Sequence, residues 1–313
     1  MAIVDGTGVT PLIAACAAGH ADCAALLLGA QAAVDMADRG GVTPLAAAAA
    51  HGSTDCVAAL LRAKAKLELA DTLGAAPLHS ACAAGATEAV ALLLQAGAEP
   101  ERQCIAADAE AEGDGGGGGG CGAGVGSAAG GPTPLHLASR HGHTGCVALM
   151  LSDSHASPHA TDARGRTPLH LCCAAGHAGC AARLLSSGAR AGARDSSGET
   201  PVLLAAQSGA LECVRALVES HEAAALLAVA QRAALTSDAS GGARREGGAP
   251  SLFVDEADRD GIAPLHAGCA RADAECVRLL LEARAAADPR DSSGATPLFL
   301  AARRGDAGAS RAW

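Results

Sequence analysis

Apolar residues along this chain come in pairs of short runs, and every pair has the same internal layout. One pair opens with TPLHLCC, which starts at Thr167 and continues through Pro168 into an apolar run. Threonine caps a helix N-terminus well, and proline suits the first helical position because its missing N–H costs nothing there. Gly176 follows eight residues after the proline, where a left-handed helix end favours glycine. The pattern therefore predicts a helix that begins at Pro168 and ends at this glycine.

A second, leucine-rich apolar run follows each of these glycines. It reads DCAALLL, DCVAALL, EAVALLL, ECVRALV and ECVRLLL in five of the units. The run predicts a second helix, and its first residues are acidic because the helix macrodipole favours negative charge at the N-terminus. These acids stand eleven residues after the proline, at Asp22, Asp55, Glu88, Glu212 and Glu275. An Asp-x-x-Gly turn such as DSSG then leads to the next unit.

The unit repeats along the whole chain with a period of 33 residues. Its marker prolines are Pro11, Pro44, Pro77, Pro134, Pro168, Pro201, Pro264 and Pro297. They are separated by 33, 33, 57, 34, 33, 63 and 33 residues, so the two long intervals equal one period plus insertions of 24 and 30 residues. A fixed period of this length is the signature of a repeat array. Eight units are predicted, of which the last is interrupted at Trp313.

The TPLHxAxxxGH blocks, the leucine-rich second helix and the 33-residue period resemble the ankyrin-repeat family. This resemblance implies an all-α solenoid of helix-turn-helix units that are joined by β-hairpin-like turns. The expected domains are repeats 1–3 in residues 1–100, a glycine-rich flexible insertion in 101–131, repeats 4–6 in 132–221, an insertion with a helix and a polar tract in 222–257, and repeat 7 with a truncated repeat 8 in 258–313.

Composition narrows the class of partner. The chain has 313 residues, of which 50% are apolar and only 1% aromatic, and this favours small, closely packed helices over large sheets. A net charge of −10 argues against nucleic acid or an anionic membrane as the main partner, because phosphate binding depends on a basic surface.

The start MAIVDGTG resembles no secretory signal, and no apolar run is long enough to span a bilayer. A cytoplasmic location is expected, with the nucleus as an alternative.

Cysteines recur at two positions of the unit, which indicates packing rather than chemistry. Five residues after the proline stand Cys16, Cys82, Cys173 and Cys269, and twelve residues after it stand Cys23, Cys56, Cys146, Cys180, Cys213 and Cys276. The resemblance places both positions between helices, where cysteine behaves as a small hydrophobic residue. Cys104 and Cys121 lie in the glycine-rich insertion, where exposure to oxidation or modification is expected.

Histidines also follow the repeat. His79, His136, His170 and His266 lie two residues after their prolines, where the resemblance implies a bond to the neighbouring turn, and His20, His143 and His177 lie at the inter-helix glycine, where they are expected to tie adjacent loops. A zinc site formed with the cysteines is the alternative, but the sequence has no two CxxC motifs to arrange it.

No nucleotide-binding motif is convincing. The glycine tract matches GxGxxG trivially, and neither lysine follows a glycine as a P-loop requires. No metal, cofactor or catalytic group is predicted.

The resemblance implies that hairpin tips and first helices line a concave face that binds another protein. The residues at these positions are Arg39, His51, Arg140, His141, Arg164, Arg166, Arg194, Glu199, Arg259, Asp260, Arg271, Arg290, Arg303 and Arg304. We predict a monomeric, non-enzymatic scaffold or adaptor that binds a protein partner. Because arginine dominates this set, we expect the partner to offer an acidic segment. Two alternatives stay open: the arginines are only a solvated surface, or the chain is the regulatory region of a larger enzyme or channel.

Overall fold

The computed structural model describes residues 4–105, 130–154, 156–220 and 253–304. Within these ranges all regular structure is helical. The chain forms two compact units, Met1–Pro168 and Leu169–Trp313. Both the predicted all-α class and the helix-turn-helix unit are confirmed. The helix predicted within the insertion 222–257, over residues 222–235, lies outside the described ranges.

Four pairs of helices make up the described part of the first unit. They are α1 Pro11–Ala17 and α2 Ala21–Gly29, α3 Pro44–His51 and α4 Thr54–Arg62, α5 Pro77–Ala84 and α6 Thr87–Gln95, and α7 Pro134–Arg140 and α8 Thr144–Ser152. The first helix of each pair packs on the first helix of the next, so that α1, α3, α5 and α7 form one layer. The second helices α2, α4, α6 and α8 form the other layer.

The second unit continues the same order. Its helices are α9 Pro168–Ala175, which begins at the boundary, α10 Ala178–Ser186, α11 Pro201–Ser208, α12 over residues 211–220, α13 Pro264–Arg271, α14 Ala274–Glu282 and α15 Pro297–Arg304, with a 3-10 turn at Phe253–Asp255 between α12 and α13. First helices again stack on one another, α11 on α13 and α13 on α15.

The core lies between the two layers and is built from the repeating leucines. In the first compact unit the leucine after the marker proline is buried, as at Leu45 and Leu135. The second helices contribute Leu60, Leu93 and Met150 to the same core. Because the core residues are small or medium in size and recur at fixed positions, adjacent helices approach closely within each unit.

Side-chain caps fix the start of each first helix in one of two ways. The hydroxyl of Thr10 accepts a hydrogen bond from the Ile13 N–H at 3.1 Å, and Thr43 caps α3 in the same way. Alanine replaces the threonine at Ala76, and there Nδ1 of His79 accepts the Ala76 N–H at 3.2 Å. A histidine two residues after the proline therefore accepts the backbone N–H of the residue before the helix, at Ala76 and also at Thr133.

Glycine ends the first helices, as the pattern predicts. The six described glycines at this position have φ between +71° and +81° and are Gly19, Gly52, Gly85, Gly142, Gly176 and Gly209. In the seventh repeat Ala272 adopts the same left-handed conformation at φ +63°. A methyl group is strained in this region of φ and ψ, whereas glycine is not.

Candidate functional site

Aspartate shapes the turn that precedes every first helix except α7. Oδ1 of Asp162 accepts the backbone N–H groups of Arg164 at 3.0 Å and Arg166 at 2.9 Å. Equivalent bonds are made by Asp5, Asp38, Asp71, Asp195, Asp258 and Asp291. Hydrogen bonds from the Ser293 hydroxyl and from backbone N–H groups lower the pKa of the Asp291 carboxyl, so this turn keeps its charge.

Backbone hydrogen bonds join successive turn tips into a row within each unit. The N–H of Arg39 donates to the Thr7 carbonyl at 3.2 Å, and the N–H of Thr72 donates to the Gly40 carbonyl at 2.9 Å. In the second unit the N–H of Arg259 donates to the Ser197 carbonyl at 3.2 Å. Side chains at corresponding tip positions are therefore held in register along each unit.

The first insertion leaves the array at the tip of the fourth turn. Cys104 takes the place of the turn aspartate, because its N–H donates to the Pro132 carbonyl at 3.2 Å as the aspartate N–H groups do in the other turns. Ile105 continues the row by donating its N–H to the Leu73 carbonyl at 2.8 Å. The insertion of 24 residues thus falls between Ile105 and Gly130, in the segment 106–129.

The expected exposure of Cys104 is wrong. Its side chain is only 3% exposed, and its Sγ donates to the Pro132 carbonyl at 3.3 Å. The thiol is buried because it belongs to the turn and not to the inserted segment. Cys121 lies outside the described residues.

Carboxylates nine residues before the marker proline link the loops of adjacent repeats, a role that the repeat pattern did not predict. Each accepts a backbone N–H from the next loop along the chain. The pairs are Lys66 to Asp35 at 2.9 Å, Glu99 to Glu68 at 3.0 Å, Ser157 to Glu101 at 2.6 Å and Ala286 to Asp255 at 2.6 Å. These four residues could have been found in the sequence, because each is an acidic residue nine positions before its marker proline. For Glu101 the count holds once the insertion of 24 residues is subtracted.

The candidate binding residues lie at turn tips and at the ends of first helices, and most are exposed. Arg164, Arg166 and Glu199 are half-buried. The exposed members are Arg39, His51, Arg140, His141, Arg194, Arg259, Asp260, Arg271, Arg290, Arg303 and Arg304.

Several of these arginines bind their own chain. Nε of Arg166 lies 3.0 Å from Oδ2 of the turn residue Asp162. Arg194 donates to the Ala257 carbonyl at 2.7 Å, and its Nε lies 3.2 Å from Oε2 of Glu256 without the alignment of a hydrogen bond. The first contact braces a single turn and the second joins two neighbouring turns, so both side chains have a structural role.

A second set of arginines extends from the surface. Arg39 and Arg259 follow the turn aspartate in the second and seventh turns, and Arg303 and Arg304 end α15. For these four side chains the described structure shows no hydrogen bond or ion pair. Arg271, by contrast, packs over Gly209 and donates to the Gln207 carbonyl at 3.1 Å. The guanidinium groups available for a ligand are thus a subset of the predicted residues.

Histidines behave as the resemblance implies, with one exception. Nε2 of His136 lies 3.0 Å from the Arg166 carbonyl of the next turn, and His170 and His266 make the same contact at 3.2 Å. His79 is 1% exposed, and its Nε2 has no hydrogen-bond partner. Burial lowers the pKa of His79 to about 4. Of the loop histidines, His143 places Nε2 3.0 Å from the Ala83 carbonyl and so ties two loops together.

Thiols at the two cysteine positions meet between adjacent repeats. Cys16 contacts Cys56, and burial raises the pKa of the Cys16 thiol to about 12. The same pairing joins Cys173 to Cys213, where hydrogen bonds from neighbouring thiols raise the pKa of Cys173. Thiols whose pKa is raised, such as Cys16 and Cys173, are protonated at neutral pH and are poor nucleophiles. They act as core residues.

The predicted burial of Cys23 is wrong. Its thiol is exposed, although it occupies the same repeat position as the buried Cys56. Cys56 is covered because it packs against Cys16 of the preceding repeat, and no earlier repeat within the described residues packs against Cys23 in this way.

Neither a metal site nor a membrane segment is found in the described ranges. No group of three or more histidine, cysteine, aspartate or glutamate side chains there is arranged to hold a metal ion. No helix in the same ranges is long and apolar enough to cross a membrane.

Comparisons with known proteins agree with the prediction of an ankyrin-repeat array. The family model described as "Ankyrin repeats (3 copies)" matches residues 12–104, 119–195 and 135–228, and the model described as "Ankyrin repeat" matches residues 260–292. Among solved structures, the human ASB11 ankyrin repeat domain is similar at 20% identity and a TM-score of 0.55, over 97% of this chain and 96% of that one. At this identity the likeness shows the fold. No curated protein matches the chain.

Proposed function

Because the chain belongs to the ankyrin-repeat family, we propose that it is a non-enzymatic scaffold or adaptor that binds a protein partner through its turn tips and first helices. Ankyrin repeats are generally protein–protein interaction modules, but a shared fold does not name the partner. The proposal therefore rests on the chemistry of the exposed side chains.

The partner that this surface suits best is an acidic segment of another protein. Arg39 and Arg259 occupy the same position in two turns, and their guanidinium groups are exposed without a bond to the described part of the chain. The forked donors of arginine bind both oxygens of a carboxylate, which a lysine cannot do in the same geometry. This placement of unengaged guanidinium groups at turn tips is the observation that carries the proposal.

Affinity capture from native extract tests the proposal with two matched variants. One variant changes Arg39 and Arg259 to glutamate at the turn tips, and the other changes Arg62 and Arg183 to glutamate on second helices. All four arginines are exposed, so both variants reverse two surface charges without touching the core. We expect proteins with acidic segments to be retained by the parent chain and by the second-helix variant, and to be lost from the turn-tip variant.

Equal retention by both variants would contradict the proposed face, and retention of no protein together with turnover of a small molecule would contradict the proposed function. The two variants are compared only if their melting temperatures match that of the parent. Arg166 and Arg194 are poor choices for this test, since each braces its own chain.

The thiols fit the cytoplasmic location that the sequence predicts. All described cysteines are free, and nearly all are buried. Buried free thiols are typical of reducing compartments, whereas secreted chains favour disulfides. Fractionation of cells that express the tagged chain tests this location, and recovery from the secretory pathway would contradict it.

A further inference from the structure

The loop that ends α8 is one residue longer than the corresponding loops after α2, α4, α6, α10 and α14. The marker prolines of the fourth and fifth repeats are 34 residues apart, whereas the usual interval is 33. After α6 the N–H of Ala98 donates to the Leu93 carbonyl, five residues earlier, but after α8 the N–H of Ala156 donates to the Met150 carbonyl, six residues earlier. The extra residue therefore falls within residues 153–155 and widens this loop.

The side chains of the longer loop also differ from those of its counterparts. Asp153 caps the C-terminal end of α8, where α2, α4, α6 and α14 have alanine and α10 has serine. A carboxylate is unfavourable at this end of a helix, because the macrodipole is negative there. Ser154 holds the loop by donating its hydroxyl to the Met150 carbonyl at 2.6 Å. A position that breaks a local rule in this way is expected at functional sites.

A cavity of about 380 Å³ lies between this loop and the C-terminal end of α6. Ala91 and Leu94, one turn apart on α6, and Pro100 in the loop that follows give it an apolar surface. Asp153 and Ser154 line it from the α8 loop. A cavity of this size accommodates a small ligand or one long side chain. The longer loop and the cavity thus occur at the same boundary between repeats.

Two carboxylates give this cavity a negative charge. Glu99 and Asp153 both line it, and both side chains are exposed. Oδ1 of Asp153 accepts the Ser152 hydroxyl at 2.8 Å, and no basic residue of the described chain lines the cavity or forms an ion pair with either carboxylate. Since the described residues contain no group of three side chains arranged for a metal ion, two carboxylates beside apolar surface suit an organic cation.

We propose that this cavity binds an arginine side chain from a segment of a partner protein, with the guanidinium group at Glu99 and Asp153 and the aliphatic stem on Leu94 and Pro100. Arginine suits the site because its forked donors bind carboxylates and its stem covers apolar surface. The two carboxylates are exposed, so one side chain can enter while the partner's backbone stays outside. The site lies at the ends of second helices in the first compact unit and goes beyond the turn-tip contacts proposed above.

Titration of the isotope-labelled full chain, followed by NMR, tests the site with a defined probe. The probe is the peptide acetyl-Ala-Arg-Leu-Ala-amide, and the control peptide has citrulline in place of arginine, which keeps the shape and removes the charge. The arginine peptide should shift the amide signals of the loops after α6 and α8 and bind at least about tenfold more tightly than the citrulline peptide. Equal affinities, or no shifts in these loops at up to about 10 mM peptide, would overturn the proposal.

Butylguanidinium distinguishes a partner's side chain from a free small cation. It has the same charged group on an aliphatic stem but none of the flanking peptide, so it should bind at least about tenfold more weakly than the arginine peptide. Equal affinity of butylguanidinium and the peptide would contradict the assignment to a protein segment.

Neutral variants test the two carboxylates. Glu99→Gln with Asp153→Asn removes both charges at nearly constant shape, so the affinity for the arginine peptide should fall by at least about tenfold, to that of the citrulline peptide. Asp22→Asn with Asp55→Asn changes two exposed carboxylates on α2 and α4 and should bind like the parent. Parental affinity in the first variant would contradict the proposed contacts.

Shortening the α8 loop tests the shape of the cavity while Asp153 is retained. Ser154→Gly with deletion of His155 gives the loop the length that it has after α6, where Gly97 has φ +93°. The shortened chain should lose binding of the arginine peptide and melt no lower than the parent, because glycine suits this position. Parental affinity in the shortened chain would overturn the proposal, and if the chain lost helix content, the neutral variants would decide.

Discussion

At the scale of single residues, a histidine two residues after the marker proline can combine a helix cap with a link between repeats. Nδ1 of His136 accepts the Thr133 N–H at 3.2 Å, while Nε2 lies 3.0 Å from the carbonyl of Arg166. His79 keeps the first bond and lacks the second, and at the corresponding place the Pro132 carbonyl accepts both the N–H and the thiol of Cys104. The cost of this change is a buried ring nitrogen without a partner.

His79 should make the protein less stable in mild acid. Its pKa is about 4 in the folded chain against 6.5 as the ordinary value, so below pH 6.5 the unfolded chain binds a proton that the folded chain excludes. The stability contributed by the neutral ring is complete above pH 6.5 and is lost as the pH falls towards 4. Between pH 7 and pH 5 the loss from His79 amounts to about 2 kcal/mol.

Urea unfolding of the parent and of His79→Asn at pH 7 and pH 5 measures this loss. Asparagine retains an acceptor for the Ala76 N–H but does not titrate, so the drop in unfolding free energy should shrink by about 2 kcal/mol in the variant. His51→Asn, at an exposed histidine, is the control and should leave the drop unchanged. Equal drops in the parent and in His79→Asn would contradict the burial argument.

Ala272 offers a stabilising change at the end of α13. Its φ of +63° is strained for alanine, and glycine stands at this position in the six other described repeats. Ala272→Gly should raise the free energy of unfolding by about 1 kcal/mol, seen as a higher melting temperature. Ala182→Gly, in the middle of α10, should lower it by a similar amount. A loss of stability in Ala272→Gly would show that its methyl group makes contacts that outweigh the strain.

Residues in register with the repeat were predictable from the sequence, and residues whose neighbour differs were not. Cys56 and Cys146 are buried as the period indicates. Cys23 has the same position, but no preceding repeat within the described residues covers it. Cys104 is hidden inside a turn because the inserted segment starts only at residue 106. Burial depends on what packs against a position, and one repeat read by itself does not contain that information.

At the scale of elements, the turns carry both the register and the first insertion. An aspartate accepts two backbone N–H groups in seven of the eight turns, and Cys104 replaces it in the fourth. Since residues 106–129 enter between Ile105 and Gly130, their removal should leave an ordinary turn of the form Cys-Ile-Gly-Gly. The period predicted the length of the insertion, but its point of entry became clear only from the hydrogen bonds of Cys104 and Ile105.

Deleting residues 106–129 together with Cys104→Asp should therefore preserve the array. Closing a turn of two residues in place of a loop of about 26 lowers the entropic cost by about 2 kcal/mol, so the free energy of unfolding should rise by up to this amount. Chemical denaturation followed by circular dichroism measures the change. The deletion with Cys104 retained separates the effect of the loop from that of the aspartate. A deletion variant with less helix than the parent would show that the segment supports the fold.

At the scale of the whole molecule, the 33-residue period predicted the fold class and the order of helices, and it also placed the binding face. The chemistry of that face was less predictable. The sequence identified fourteen residues by position, and the structure shows that Arg166, Arg194 and Arg271 bind their own chain while Arg39 and Arg259 extend from it. Arginine has five donors, and whether a neighbouring carbonyl takes them depends on the packing of adjacent turns.

The salt dependence of association with a captured acidic partner tests the central claim most directly. If unengaged arginines at the turn tips attract the partner, the association rate constant of the parent should fall by at least about tenfold between low salt and about 0.5 M salt. Arg39→Glu with Arg259→Glu should already associate slowly at low salt and show little further dependence, whereas Arg62→Glu with Arg183→Glu should behave like the parent. An association rate that is the same for all three proteins and insensitive to salt would mean that the arginine face is only a solvated surface.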